Sequence, residues 1–384
     1  MSAQRFKIQN SEHVSPTGFV SAPDKGLMII VAFLSLIGIM MILSAGAPKC
    51  TVTGANPGSF AIKQFMWFIA GFFGMSWFAR YDYKKLVKYV VPFSWFVILL
   101  LVLVDFTSLG VTVNGAKRWL ALGPAQFQPS EMTKLAVASL LACAFAKDIS
   151  IFNQEKIIKY FLPIAVMAGL TAAQPNLSMV IILALVCLVV YITAGGSITM
   201  LVSMASGALL LLSLKIKPYQ LSRIRIWLDP ESDPYGAGYN IIQSLLAFVS
   251  GGFFGVGFGA SRQKLEWLPE AHTDFIYAVI AEEWGFLGCL AIIWLFLWFV
   301  FRGIRIAGSC KDMFGKLLAV GLTFSIGSQA FINMSVASSF VPATGVPMPF
   351  ISYGGTSVTF LLCEIGLVLA VSKQIKFKQD VNVK

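Results

Sequence analysis

The chain has 384 residues, of which 57% are hydrophobic and only 12% charged, with a mean hydropathy of +0.78. A soluble protein of that length cannot hide so much apolar surface, so the composition implies a polytopic membrane protein. The net charge of +11 does not point to nucleic acid, because Lys and Arg sit mostly between apolar runs and no aromatic-and-basic stripe is present.

A bilayer span needs roughly 20 apolar residues. Segments of about that length run over 27–45, 61–79, 87–104, 131–147, 157–174, 177–195, 197–214, 275–301, 316–340 and 353–372. The first ends in "SAGA", which loosely mimics a signal-peptide cleavage site, but the long, mostly polar leader before it argues for a retained span. The run 177–214 is nearly continuous and is split at "GGS", residues 195–197, a breaker suited to a tight turn. The expected fold class is therefore an all-α polytopic membrane protein with about ten transmembrane helices. One large extracytoplasmic loop, about 215–274, separates spans 7 and 8. The domain division is a cytoplasmic tail 1–26, a transmembrane domain 27–372 and a cytoplasmic tail 373–384. Ten spans place both termini on one side. With that side as the cytoplasm, it collects 18 of the 29 Lys and Arg, the bias expected of a cytoplasmic face. The six cysteines form no C-x-x-C pair and read as small apolar filler.

Parity then puts the segments 105–130, 174–176, 215–274 and 341–352 on the outer face, and they hold nearly every unusual polar cluster. Lys117 and Arg118 precede Trp119 and read either as snorkelling cations beside an aromatic anchor or as a clamp for phosphates. Glu131 and Lys134, three apart at the start of the fourth span, can pair on one helix face, with Ser130 as the cap. "QPN" contributes Gln174 as a cavity residue. In the large loop, "RIRIWL" and "YNIIQSLLAFV" suit helices lying flat on the interface with Arg outward. Arg262 and Lys264 offer a second set of cations. "GGFFGVGFGAS", without a βαβ context, reads as close backbone packing or a re-entrant bend, not a dinucleotide site.

The stretch "LPEAHTDFIYAVIAEEWGF", residues 268–286, sets carboxylates at the mouth of the eighth span and within it. Asp274 reads as a helix cap, as a general base held ionised by the helix dipole, or as both. Glu270 and His272 crowd the same boundary. Glu282 lies about 12 Å deeper at 1.5 Å per residue, and Glu283 points nearly opposite, so the two cannot both face what Asp274 faces. Pairing with a cation or a backbone donor is expected of them. "FVPATGVPMPFISYGGTS", residues 340–357, puts non-helical backbone at membrane depth, where it must be buried in protein or line a wet cavity. Ser352 belongs to this stretch, and Gln329 and Asn333, one helical turn apart, are placed to bind it.

Four stretches, "GAKRWL", "FQPSEMTKLA", "KLEWLPEAHTDFIYAVIAEEWGFLG" and "GVPMPFISYGGTS", together resemble, in order, the FtsW/RodA (SEDS) family of bacterial membrane proteins, and the resemblance covers essentially the whole chain. "GVGFGASRQKLEWLPEAHTDF" looks closer to the cell-division branch than to the elongation branch. The resemblance implies a peptidoglycan glycosyltransferase of the inner membrane that polymerises lipid II on the outer face. Its implied partners are a class B penicillin-binding protein transpeptidase, other division proteins and membrane lipid. It implies that Asp274 is the essential loop aspartate and that Arg118, Glu131 and Lys134 line the outer cavity. The chain departs from the family pattern at Asn176 and Ser178, where an Asp and a Gly are usual, and at Ser339 and Ala343.

On this reading Asp274 deprotonates an acceptor hydroxyl in an inverting transfer. The substrate-binding set is Lys117, Arg118, Glu131, Lys134, Arg262, Lys264, His272 and Ser352, and Glu282, Glu283, Gln174 and Asn333 shape the cavity. The departing polyprenyl diphosphate calls on Arg118, Lys134, Arg262 or a divalent cation, Mg or Mn, whose ligands are unassigned. Two rival classes remain. A lipid II flippase would use the deep Glu282 and Glu283, and a non-catalytic division scaffold would leave the outer carboxylates without a task.

Overall fold

A computed structural model describes residues 22–52, 54–113, 116–122, 125–149, 154–174, 176–200 and 218–373. Apolar runs become helices here because lipid offers no partner to a backbone N–H or C=O, so each segment must satisfy its own. In chain order these are α1 (Lys25–Val52), α2 (Ser59–Arg80), α3 (Val90–Phe106), α4 (Ser130–Phe145), α5 (Gln154–Ala173) and α6 (Leu177–Thr193). They continue with α7 (Pro218–Leu228), α8 (Tyr239–Gly251), α9 (Ile276–Ser309), α10 (Met313–Ala337) and α11 (Gly355–Ser372). Among the described residues α1, α5, α9, α10 and α11 are long and apolar enough to cross a membrane, and α3 and α6 are shorter apolar helices.

Several starts are set by side chains that accept the free first-turn N–H groups. Asp24 accepts from Leu27 N, Asn176 from Met179 N and Asp312 from Gly315 N. Asn176 thus works as a helix cap and also donates to Ser130 Oγ at 3.4 Å. Ser130, expected to cap α4, is instead inside its first turn, and no side chain caps that helix. The break foreseen at 195–197 is real. The chain turns through Gly195 at φ +94°, and Ser197 Oγ accepts from Met200 N as helix resumes. The body of the seventh expected span lies outside the described residues.

Helix α10 is the axis of the bundle: 72% of its apolar window is buried, against 17% for peripheral α5. It packs on α4, α6, α9 and α11, while α2 lies along α11 and α1 against α9. Asp24 and Arg302 join α1 to α9 with an ion pair at 2.5 Å.

The all-α expectation needs correction. Residues 110–127 form an antiparallel sheet of β1 (Gly110–Val113), β2 (Ala116–Leu122) and β3 (Ala125–Phe127), in the order β1-β2-β3. The sequence Asn114-Gly115 between β1 and β2 is a strong short-hairpin signal, outweighed in the reading above by the surrounding hydropathy.

Helix α9 is broken at Gly285, whose φ of 66° and ψ of −164° suit glycine alone. The helical bonds lost there are replaced by the glycine-rich segment after α8. Val256 and Gly257 donate to the carbonyls of Glu282 and Glu283, and Phe286 and Leu287 donate to those of Gly252 and Phe253. "GGFFGVGFGAS" is therefore close backbone packing against a kink, as the sequence reading required.

Candidate active-site cavity

Asp274 does not cap α9. The preceding turn supplies the first bonds: Glu270 O accepts from both Thr273 N and Phe275 N, and Phe275, without a capping side chain, begins the helix. Glu270 itself holds a φ of 55°, unusual for a residue with a Cβ. The Asp274 carboxylate is thereby left available, and its oxygens accept no hydrogen bond among the described residues. It lines a cavity of about 480 Å³ together with Arg223, Asn240, Glu270, Thr344 and Gly345.

Five hydrogen bonds fix that corner. Asn333 Nδ2 donates to the carbonyl of Asp274 at 2.8 Å and to that of Val346 at 2.7 Å. Gln329 Nε2 donates to Pro347 O at 2.9 Å. Ser352 Oγ donates to Thr273 O at 2.5 Å and accepts from Met348 N. Ser352 thus binds two loops together rather than substrate. Gly345 sits between the two chemical groups: a Cβ built there would lie 3.3 Å from Asp274 Oδ2 and 4.0 Å from Arg118 Nη1.

Burial pushes the Asp274 carboxyl up to about 7; nearby Glu270 pushes the same way, and Arg118 and Arg223 oppose both. Such a group takes up a proton near neutral pH and is well matched to general-base work. His272 is driven the other way, down to about 4, chiefly by burial, with Lys49 adding and Glu270 opposing. Its ring packs on Phe60 at 5.2 Å and Tyr353 at 6.1 Å.

The expected cations are redistributed. Arg118 Nε donates to Gln174 O at 2.9 Å, which ties together two of the expected cavity residues, though neither lines the Asp274 cavity itself. Gln174 Nε2 donates in turn to Leu101 O. Lys117 folds back to the carbonyls of Asp105 and Thr107, at 3.2 and 2.9 Å, and steadies the end of α3. Lys134 and Glu131 do pair, at 2.8 Å, but both are buried in the bundle, and Lys134 donates to Gln329 Oε1 at 2.7 Å. Their reach to the cavity is indirect, through Gln329 and Pro347. Lys264 pairs with Glu283 at 2.7 Å and donates to Ser44 Oγ, a buried bridge between the large loop, α9 and α1. Arg262 is exposed, does not line the cavity, and gives its backbone N–H to Glu282. Glu282 also accepts from Ser261 Oγ and Gln263 N, so both deep glutamates found the partners expected of them. Among the described residues no group of three or more His, Cys, Asp or Glu has a metal-binding arrangement, and no residue is assigned to a cation.

Arg223 was missed. "RIRIWL" reads as an interfacial helix with its arginines outward, and Arg223 and Arg225 are both exposed, but α7 also docks on the 339–343 loop. Trp227 Nε1 donates to Ser339 O and Arg223 Nη1 to Ala343 O, one turn apart. The spacing of donors at 223 and 227 was the available signal.

These features define a helical membrane protein with a reactive carboxylate set among arginines in a loop-roofed cavity. The chain belongs to the FtsW/RodA/SpoVE family, described as cell cycle proteins, whose profile matches residues 25–377. It is 36% identical, over 93% of its length and 98% of the relative, to a probable peptidoglycan glycosyltransferase FtsW of Geobacter sp. (strain M18). It is 35% identical, over 93% of its length and 99% of the relative, to stage V sporulation protein E of Bacillus subtilis (strain 168). Among solved structures, one described as structural coordination of polymerization and crosslinking by a peptidoglycan synthase complex superposes with a TM-score of 0.76 at 30% identity. That match covers 94% of this chain and 99% of the other. The rod shape determining protein RodA of Thermus thermophilus gives 0.68 at 27% identity, covering 92% and 98%.

Proposed function

We propose that this chain is a peptidoglycan glycosyltransferase that polymerises lipid II, and that Asp274 is its general base. The observation that carries the reading is the Asp274 carboxylate, left without a hydrogen bond among the described residues, in a cavity that Arg223 also lines and close enough to Arg118 to feel its charge. Asp274 takes the proton of the acceptor sugar's 4-hydroxyl as that oxygen attacks the anomeric carbon of the lipid-linked chain. The O4–C1 bond forms, the C1–diphosphate bond breaks, and polyprenyl diphosphate leaves with its electron pair. One base suffices for a single inverting displacement with so good a leaving group. A second cavity, of about 560 Å³ and lined by Phe248, Tyr277, Leu290, Ile293, Phe331 and Met334, suits the polyprenyl tail. Phe248 lies seven residues beyond Ile241 of the Asp274 cavity, on the same face of α8.

The proposed architecture has ten spans, tails 1–26 and 373–384 in the cytoplasm, and the cavity facing outward at the division site. A class B penicillin-binding protein is the proposed cross-linking partner, in keeping with the synthase complex among the similar structures. The flippase alternative is weakened, because Glu282 and Glu283 are engaged with Ser261, Lys264 and Ser44 rather than exposed along a path. The test is polymerisation of labelled lipid II by purified protein with its transpeptidase in detergent, where there is no bilayer to flip across. Wild type should build glycan, and Asp274→Asn should fold, bind substrate and build none. A polymerising Asn variant would overturn the assignment of the base.

A further inference from the structure

The reaction proposed above releases a diphosphate, and a cationic group must receive it as charge develops. Lys117, Lys134 and Lys264 are occupied by backbone carbonyls or buried partners, Arg118 gives its Nε to Gln174 O, and neither Arg118 nor Arg262 lines the cavity. Arg223 does line it, together with Glu270 and Asp274 from the turn before α9. Its guanidinium is anchored at one corner only, Nη1 to Ala343 O at 3.1 Å, and Trp227 pins the same helix one turn on. An arginine has five N–H donors in a planar fork, so most of the fork faces no described partner. Its charge acts on Asp274 without closing to an ion pair. The cavity is thus electrically sided. Glu270 and Asp274, in the turn before α9, repel an anion, and Arg223 on α7 attracts it.

We propose that Arg223 is the diphosphate-binding residue of this cavity, receiving the polyprenyl diphosphate of the donor in bidentate fashion while the acceptor hydroxyl lies against Asp274. The inference rests on the glycosyltransferase reading and adds to it the polarity of substrate binding: diphosphate toward α7, hydroxyl toward the start of α9. The planar fork matters as well as the charge, because an ammonium cannot reproduce two parallel hydrogen bonds.

The test uses the full chain with its transpeptidase in detergent, with farnesyl diphosphate and farnesol as probes in calorimetry and labelled lipid II in the polymerisation assay. Wild type should bind farnesyl diphosphate and not farnesol. Arg223→Gln should lose at least tenfold in diphosphate affinity, Arg223→Lys should fall between, and Asp274→Asn, which removes a repelling charge, should bind diphosphate at least as tightly as wild type. Glu270→Gln, which removes the other repelling charge, should bind it more tightly. Arg223→Lys keeps the charge and stem, so it remains informative where the Gln variant fails to fold. Unchanged diphosphate affinity in both Arg223 variants, or equal binding of farnesol, overturns the assignment while polymerisation by wild type leaves the glycosyltransferase reading standing. Absence of polymerisation by wild type overturns the reaction, and with it the role given to Arg223.

Discussion

Asp274 is set apart from the other acidic residues by what its neighbours do, since Glu270 O takes the N–H of Phe275 and frees the adjacent carboxylate. Its carboxyl is raised to about 7, so the base is ionised only above neutrality, and polymerisation should rise as pH climbs through about 7. Glu270→Gln removes the like charge and should move that limb to lower pH, measurable as a shifted pH–rate profile. The same shift has a stability consequence. A folded-state value above the ordinary 3.8 means the folded protein holds the proton more tightly than the unfolded chain. The protonated form favours the fold below about pH 4, and that advantage is lost as pH rises through about 7. Asp274→Asn has no such proton to lose, so its thermal midpoint should exceed that of wild type at pH 8 and converge with it toward pH 4. Gly345 is the other sensitive position. A methyl there intrudes to 3.3 Å from Asp274 Oδ2, and Gly345→Ala should lower turnover roughly tenfold to a hundredfold with an unchanged melting profile. Wild-type turnover in that variant would mean the gap between Asp274 and Arg118 is not where substrate passes.

At the scale of elements, α9 and the loop before it form one unit. The break at Gly285 opens the carbonyls of Glu282 and Glu283 to Val256 and Gly257, while their side chains hold Ser261 and Lys264. Lys264 is therefore a structural residue, and the distinction is measurable. Lys264→Met leaves Glu283 buried without its cation and should cost about 3–5 kcal/mol of stability. Lys264→Met with Glu283→Leu removes both charges and should recover most of that loss together with polymerisation. A stable but inactive double variant would instead mean that Lys264 touches substrate. Loops 270–275 and 345–354 are likewise joined, by Asn333 and Ser352, so the cavity wall is held from the central helix α10.

For the molecule as a whole, the sidedness of the cavity determines which pool of substrate it meets. The proposed ten-span arrangement would put Ser232, exposed in the large loop, outside, and Lys84, exposed after α2, inside. In a cysteine-free background, Ser232→Cys should react with a membrane-impermeant maleimide on spheroplasts, and Lys84→Cys only after lysis. The reverse pattern would invert the topology and remove the cavity from an outer-face reaction.

Much of this was legible from residue order because hydropathy and helical period are local properties. The helices, the turn at Gly195, the Glu131–Lys134 pair three residues apart, and the grip of Gln329 and Asn333 on the 345–347 backbone all depend on near neighbours. The sheet at 110–127 was local too, but its Asn-Gly signal sat inside an apolar context. What the tertiary structure alone decided was where each long cationic side chain ends. Lys264 meets Ser44 across 220 residues of chain, Lys134 meets Gln329 across 195, and Arg223 meets Ala343 across 120. A lysine or arginine stem can reach any of several partners, and burial makes an unpaired charge so costly that the packed bundle selects one. The family, the bundle and the aspartate before α9 were written in the order of residues; which cations attend that aspartate was decided by packing.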